Sequence, residues 1–410
     1  MPVLLPILSL VESIKGIAGM FDVVVAGGAV MGSSIACHLA GQSGFAGSIL
    51  VVERDRSYRQ AASALSASSI RQQFSQPVNI RISMHGIAFL RDIGNLLEVD
   101  GARPDIGLRE GGYLYLATVP GMAVLSANHI LQAREGADIA LMDRAALSVR
   151  FPFLATEDLA GGSFGRSGEG WFDGYQLMQA FAAKARSLGV TYRQAGVVAV
   201  ERQGPRIVAV HLDDGSRIPC GAFVNAAGAS GARALAAACD VPIPVYAKKR
   251  SVFSWSCRER LDGFPLLIDT SGVWCRPEGE GFIGGYSPAD DSETDEGQDF
   301  EVNWNEFDEV IWPNLAARIP AFEAIRPGRA WAGHYDMNLL DHNAIVGRLG
   351  DLENAYIAAG FSGHGLQQAP AVGRGLAELI ATGAYRTLDL ADLSFERIVA
   401  GRPLRETNVI

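Results

Sequence analysis

The chain has 410 residues, 48% hydrophobic and 20% charged, which describes a globular protein of two or three domains with a sizeable core and excludes collagen, coiled coil and disorder. Its 35 basic and 45 acidic residues leave a net charge of -10, which argues against nucleic acid or an anionic membrane surface as the main partner. Glycine is the telling excess, with 47 residues where roughly 7% is usual, and it marks places where backbone must approach something closely.

Residues Met1 to Met20 are apolar but lack a basic start and carry Glu12 and Lys15. They read as an extension over 1–19, with the folded part beginning at Met20. No other stretch reaches 18 uninterrupted apolar residues, so no stable membrane insertion is expected. Five cysteines (Cys37, Cys220, Cys239, Cys257, Cys275) form no C-x-x-C pair; a reducing, cytoplasmic setting is expected, with no disulfide framework and no metal site.

Phe21 to Ala26 (FDVVVA) reads as a buried parallel strand, followed by Gly27, Gly28, Ala29, Val30, Met31, Gly32 and a helix through Ile35 and Leu39. Ser48 to Glu53 (SILVVE) is a second strand, ending in a carboxylate 26 residues after Gly27. Strand, glycine turn, helix, strand and acid in this order predict a Rossmann-type dinucleotide site. Gly27 permits the turn, Gly32 lets helix and strand approach, the helix N-terminus faces a pyrophosphate, and Glu53 accepts ribose hydroxyls. Ala29 stands where the usual fingerprint has its second glycine; a methyl is the smallest departure available.

A serine- and alanine-rich stretch follows, AASALSASSIRQQF (Ala61 to Phe74). Its small side chains let backbone pass close to a bulky planar group, and Ser63, Ser66 and Ser68 supply hydroxyls; a surface loop is the alternative reading. Further on, Asp173 to Gly189 predicts a helix with Leu177, Phe181 and Leu188 on one face. Strands at VTYRQ, GVVAVER and RIVAVHL come next, with a DDG turn at Asp213 to Gly215. FVNAAG (Phe223 to Gly228) returns the chain towards the cofactor. Near the C-terminus, AYIAA reads as a strand and GFSGHGLQQAP (Gly360 to Pro370) as a glycine turn. The helix after it has Pro370 in its first turn and Gly383 at its close.

Taken together, DVVVAGGAVMGSSIACHLA, ILVVERD, ALSASSIRQQF, GWFDGYQLMQAFAAKARSLGV, FVNAAGA and GFSGHGLQQAP resemble the D-amino-acid-oxidase-like (DAO) FAD oxidoreductases, which include sarcosine oxidase, glycine oxidase and dimethylglycine dehydrogenase. SIRQQFS, DTSGVW and FSGHGLQQAP are similar to a subgroup of mitochondrial FAD oxidoreductase domain proteins associated with respiratory complex I assembly. The resemblance implies an α/β (α+β) fold of the glutathione-reductase-2 type: a discontinuous FAD-binding domain (20–76, 146–240 and 336–395) and a β-sheet-roofed substrate domain (77–145 and 241–335), with a tail at 396–410. It implies cofactor contacts at Gly27 to Gly32, Glu53, Arg54, Ser63, Ser66, Ser68, Val198 and Ala226 to Gly228. Others follow at Gly360, Gly363, His364, Gly365, Leu366 and Gln367.

The chemistry implied is hydride transfer from the C–H beside an amine to flavin N5, then imine hydrolysis. Arg71 stands where the family holds a substrate carboxylate, His364 where it has a histidine beside the flavin, and Tyr286 is a candidate substrate-facing hydroxyl that reads equally as a core aromatic. Two lysines of sarcosine oxidase-like members are replaced: Gln367 at the carboxylate weakens a simple N-methylglycine reading, and Ile283 near the flavin points away from oxygen as the acceptor and towards an acceptor protein or partner subunit. Lys248, Lys249 and Arg250 are substitute cations. The covalent attachment cysteine of sarcosine oxidase falls near His334, and no histidine stands in AASALS, so FAD is expected to be non-covalent. The alternatives are a D-amino-acid or 2-hydroxy-acid oxidoreductase, and a flavoprotein subunit or assembly factor with little catalysis of its own.

Overall fold

The computed structural model describes residues 19–288 and 299–407; the expected extension over 1–19 lies outside them apart from Gly19. Strands β1 (Phe21–Ala26) and β2 (Ile49–Glu53) are followed by the short β3 (Ser69–Ile70) and then by β4 (Tyr113–Ala117), β5 (Ile139–Asp143) and β6 (Gly161–Gly165). Next come β7 (Gly170–Trp171), β8 (Thr191–Gln194), β9 (Val197–Gln203), β10 (Arg206–Leu212) and β11 (Arg217–Asn225). The last are β12 (Val245–Ser256), β13 (Leu266–Ile268), β14 (Val273–Glu278), β15 (Gly281–Tyr286), β16 (Arg326–Asn338), β17 (Ile345–Arg348) and β18 (Ala355–Ala359).

The first sheet runs β17-β18-β11-β1-β2-β8, with the β9–β10 hairpin added at β11. β18, β11, β1, β2 and β8 are mutually parallel. Val23, Val24 and Val25 in β1 and Leu50 and Val51 in β2 are all buried, because helices cover one face and the hairpin the other. The helix Val30–Ala40 crosses from β1 to β2 and packs against the helices Gly174–Ser187 and Gly365–Thr382. β1 and β11 lie side by side with Ala26 opposite Asn225, so their C-terminal ends open one crevice, where open α/β sheets bind ligands.

The second sheet, β16-β12-β15-β14-β13-β4-β6-β5, is the roof. Its far face carries an aromatic core of Phe253, Trp255, Phe264, Phe282 and Phe322, the last four joined by edge and stacked contacts. This is the mixed α/β architecture expected.

Several segments depart from the expected boundaries. β6 (Gly161–Gly165) pairs with β4 and β5 and so belongs to the roof, although 146–240 was expected on the cofactor side. The helix Pro77–Arg91, expected with the substrate domain, buries Val78, Ile82, Ile87 and Leu90 in the core of the first sheet. Leu188 is 41% exposed, because the helix ends at Ser187 and its apolar stripe stops at Ala185. The C-terminal helix begins at Gly365, so Pro370 lies inside it and not in the first turn; Gly383 closes it at φ +78.

Candidate functional site

One cavity, with about 1520 Å³ of empty space partly open to solvent, separates the two sheets. Its floor is made of Gly27, Ala29 to Met31, Glu53, Arg54, Ser63, Ser66, Ala226 to Gly228, Gly363, Gly365 and Leu366. Three helices start at this floor, at Val30, Gly228 and Gly365, with Ala29, Ala227 and His364 as N-cap residues. None has a side-chain cap or an acidic residue in its first turn. Three uncapped N-termini at one surface concentrate N–H donors and positive dipole ends where an anionic dinucleotide would lie.

The glycine turn is built for close approach. Gly27 has φ +97, and a Cβ there would stand 2.3 Å from the Ala226 carbonyl oxygen; at Gly32 it would stand 1.8 Å from the Gly27 carbonyl oxygen. Gly28 and Gly32 support the cavity wall from behind without lining it. Gly28 N donates to Glu53 Oε2 at 2.7 Å and Asp55 N to Glu53 Oε1 at 2.9 Å, so the turn holds the carboxylate at the strand end. Ala29 is extended, at φ -70 and ψ -163; that backbone needs no glycine, which accounts for the departure from the fingerprint.

The serine stretch forms a short helix, Ala62–Leu65, pinned under the roof. Trp331 Nε1 donates to the Leu65 carbonyl at 2.8 Å, and Arg276 Nη2 to that of Ala67 at 2.6 Å. Ser63 Oγ accepts from Val30 N at 3.4 Å, and Ser66 Oγ accepts from Ser68 N at 3.0 Å. Ser68 is buried at φ +53 and shapes the loop without reaching the cavity. Val198, expected against the cofactor, is a correction: it is 58% exposed and outside the cavity lining, because strand alternation in the β9–β10 hairpin turns it to solvent.

In the second glycine turn, Asp336 Oδ2 accepts from Gly360 N at 2.8 Å. Gly360 itself packs against β12 and β16, where a Cβ would meet Val245 Cγ2 at 2.9 Å. Burial pushes the Asp336 carboxyl up to about 6, against the opposing N–H donors of Phe361 and Gly360. His364 is held well below the usual histidine range by burial and then by the Arg71 charge. Arg71 is 2% exposed. Its Nη2 is 2.9 Å from His364 Nε2, and its backbone N donates to Gln367 Oε1 at 2.8 Å. Arg71, His364 and Gln367 are therefore brought together as expected, one layer behind the cavity surface formed by Gly363 and Gly365. The Arg71 guanidinium sits 4.5 Å from the Phe74 ring centre and 5.6 Å from that of Tyr115.

On the roof, Tyr286, Trp274, Arg250, His334 and Tyr335 line the cavity; Tyr286 also packs against the aromatic core. Ile283 is buried, with Ser254 and Arg276 opposite it on the flanking strands. Three buried groups escaped the sequence reading. Glu169 accepts from Gln73 N at 3.0 Å and Gln73 Nε2 at 2.8 Å, bracing the segment just after Arg71, and burial pushes its carboxyl up to about 7. Asp336 and the cavity-lining Tyr58 are the others. Only the isolation of Glu169 in the glycine-rich run GGSFGRSGEG was a signal. Among the described residues no cluster suits a metal ion.

The donor set and the glycine cradles fit FAD: the N-termini at Val30 and Gly228 would hold the pyrophosphate, Glu53 the ribose, and the turn at Gly363 to Leu366 the flavin end. The comparisons agree. The family model described as FAD dependent oxidoreductase (DAO) matches residues 22–379. FAD-dependent oxidoreductase domain-containing protein 1 of Bos taurus is 40% identical over 94% of this chain and 86% of its own length. The 4-methylaminobutanoate oxidase (formaldehyde-forming) of Paenarthrobacter nicotinovorans is 27% identical over 88% of this chain and 43% of its own. Among solved structures, L-proline dehydrogenase from P. horikoshii superposes with a TM-score of 0.82 at 26% identity, covering 94% of this chain and 99% of that one. Glycine oxidase from Geobacillus kaustophilus has a TM-score of 0.76 at 22% identity, over 92% and 98%. With its floor, roof and sequence all in agreement, the chain belongs to the DAO family of FAD-dependent oxidoreductases.

Proposed function

We propose that this flavoprotein oxidises the carbon beside an amine in an N-methyl or secondary amino acid. The observation that carries this reading is the Arg71–His364 pair, a fixed positive charge beside a neutral imidazole directly behind the turn that would hold the flavin end. Bound FAD supplies the two-electron acceptor for the hydride. The protein's own groups position the substrate: the Arg71 charge attracts the carboxylate from behind the glycine turn, and the aromatic roof of Trp274, Tyr286 and Tyr335 closes over the amine and keeps water from the reacting carbon. The imine product is then hydrolysed by water.

The names of two relatives support the substrate class, since L-proline and 4-methylaminobutanoate are both secondary amines. Electrons then pass to an acceptor protein or partner subunit. The test is anaerobic titration of the holoenzyme with a panel of secondary amino acids, primary amino acids and 2-hydroxy acids, following the visible flavin band. Bleaching by the secondary amino acids is expected. Bleaching by hydroxy acids alone transfers the reading to that class, and no bleaching by any of them favours a flavoprotein subunit. FAD is held without a covalent bond: acid-precipitated protein releases all its flavin, and colour retained in the pellet assigns His334 as a tether.

A further inference from the structure

Tyr58 lies in the turn after β2, where its N donates to the Asp55 carbonyl at 2.9 Å and its own carbonyl accepts from Ala61 N at 3.0 Å. Its backbone is left-handed at φ +57, a conformation that is strained for a side-chain-bearing residue. The side chain is 3% exposed and lines the cavity together with Glu53, Arg54 and Asp55. Its hydroxyl comes to rest beside Gly28, 3.3 Å from where a Cβ on that glycine would stand.

That hydroxyl has no hydrogen-bond partner among the described residues. Glu53, the nearest acid on its own strand end, already accepts from Gly28 N and Asp55 N. A buried hydroxyl without a partner is unfavourable, and a phenylalanine ring of the same shape would avoid that cost. Strain in the backbone, a ring that forms the wall, and an orphaned hydroxyl at the glycine turn have one common explanation, which is a polar ligand atom completing the site.

We propose that Tyr58 is a cofactor-binding residue whose phenolic hydroxyl hydrogen-bonds the ribose–pyrophosphate end of FAD. The assignment does not depend on the substrate reading above, because it concerns how the cofactor is held and not what is oxidised.

The test compares wild type with Tyr58→Phe in three measurements that need no turnover. Flavin release from diluted holoenzyme, read as recovered free-flavin fluorescence, should be roughly five- to tenfold faster in the variant, the effect of one lost hydrogen bond of about 1 kcal/mol. ADP, titrated into the flavin-free chain, should bind weaker by a similar factor. The melting midpoint of the flavin-free chain should be unchanged or higher, since the orphaned hydroxyl has gone. Wild-type flavin release overturns the proposal, and wild-type ADP affinity overturns its placement at that end. Faster release together with a lower flavin-free midpoint makes the hydroxyl structural, and the proposal fails.

Discussion

Arg71 and His364 are joined by a hydrogen bond whose direction is fixed by chemistry. Guanidinium has only donors, so His364 Nε2, 2.9 Å away, must be the acceptor and the ring proton sits on Nδ1. Burial and the adjacent charge keep this imidazole neutral. The pair therefore presents a permanent cation whose orientation does not change with pH. Arg71→Lys keeps the charge but loses the fork that binds His364 and fixes that charge in place, and should raise KM for a carboxylate-bearing amine roughly tenfold or more. The same amine lacking its carboxylate should be affected little. If Arg250→Lys gives that pattern and Arg71→Lys does not, the carboxylate belongs to the roof cation.

The two buried acids set a pH dependence of stability with a definite sign. Glu169 and Asp336 have carboxyls pushed up by burial, to about 7 and about 6. Between their unfolded values near 4 and these folded values, the native state binds more protons than the unfolded state. Stability contributed by each is thus full below about pH 4 and is lost as pH rises through the folded value. Unfolding of wild type and Glu169→Gln by urea at pH 5 and pH 8 checks this. The variant should gain on wild type as pH rises; a difference that stays constant shows that Glu169 does not titrate in this window.

These particulars show what was legible in the sequence. The Rossmann order of strand, turn, helix and acid is local, and every part fell within about 35 residues, so β1, β2, Gly27, Gly32 and Glu53 could be read directly. Arg71 lies nearly 300 positions from His364 and Gln367, and only family resemblance joined them. What stayed hidden was depth. Val198 turns outward and Arg71 lies behind the cavity surface because of which way each side chain points, and periodicity does not carry that information. The acid Glu169 was invisible for the same reason, since its partners are the backbone N–H groups of a distant loop.

The glycine turn can be tested by opposite substitutions. Gly32→Ala places a methyl 1.8 Å from the Gly27 carbonyl oxygen, backbone that cannot move without breaking the turn, so FAD should be lost during purification. Ala29→Gly restores the usual fingerprint at a position whose backbone is already extended. Its FAD affinity should stay within about threefold of wild type, because a glycine there gains no conformation the alanine lacks and loosens the unfolded chain. Tight FAD binding by Gly32→Ala, measured as flavin to protein absorbance ratio, would refute this account of the turn.

The C-terminal segment is a clasp on the start of the helix Pro77–Arg91. Glu406 Oε2 accepts from Ser75 N and Ser75 Oγ, both at 2.6 Å, and its Oε1 accepts from Asn79 Nδ2 at 2.6 Å. It thereby closes the start of the helix Pro77–Arg91, six residues after Arg71. Glu406→Ala leaves Asn79 and the Ser75 N–H without this acceptor and should cost about 1–3 kcal/mol. Thermal melting should register that loss, with faster proteolysis at the terminus; an unchanged melting midpoint would show that the clasp holds nothing.

Oxygen should be a poor acceptor for this flavin. The roof position nearest Arg276 on β15 is the buried, uncharged Ile283. The Arg276 guanidinium beside it is committed to the Ala67 and Pro277 carbonyls and to Glu278, and Lys249 is paired with Asp299 at 2.6 Å. A fixed cation in contact with the flavin is what stabilises the negative charge that develops as oxygen is reduced; Arg276 and Lys249 are held by other partners, and Arg71 stands one layer behind the turn, bonded to His364. Reduced holoenzyme mixed with air-saturated buffer should therefore stay reduced for seconds or longer, while an added dye or quinone acceptor discharges it quickly. Stopped-flow reoxidation by oxygen within milliseconds would show that a cation reaches the flavin after all, and Arg250→Met would then identify whether it comes from β12.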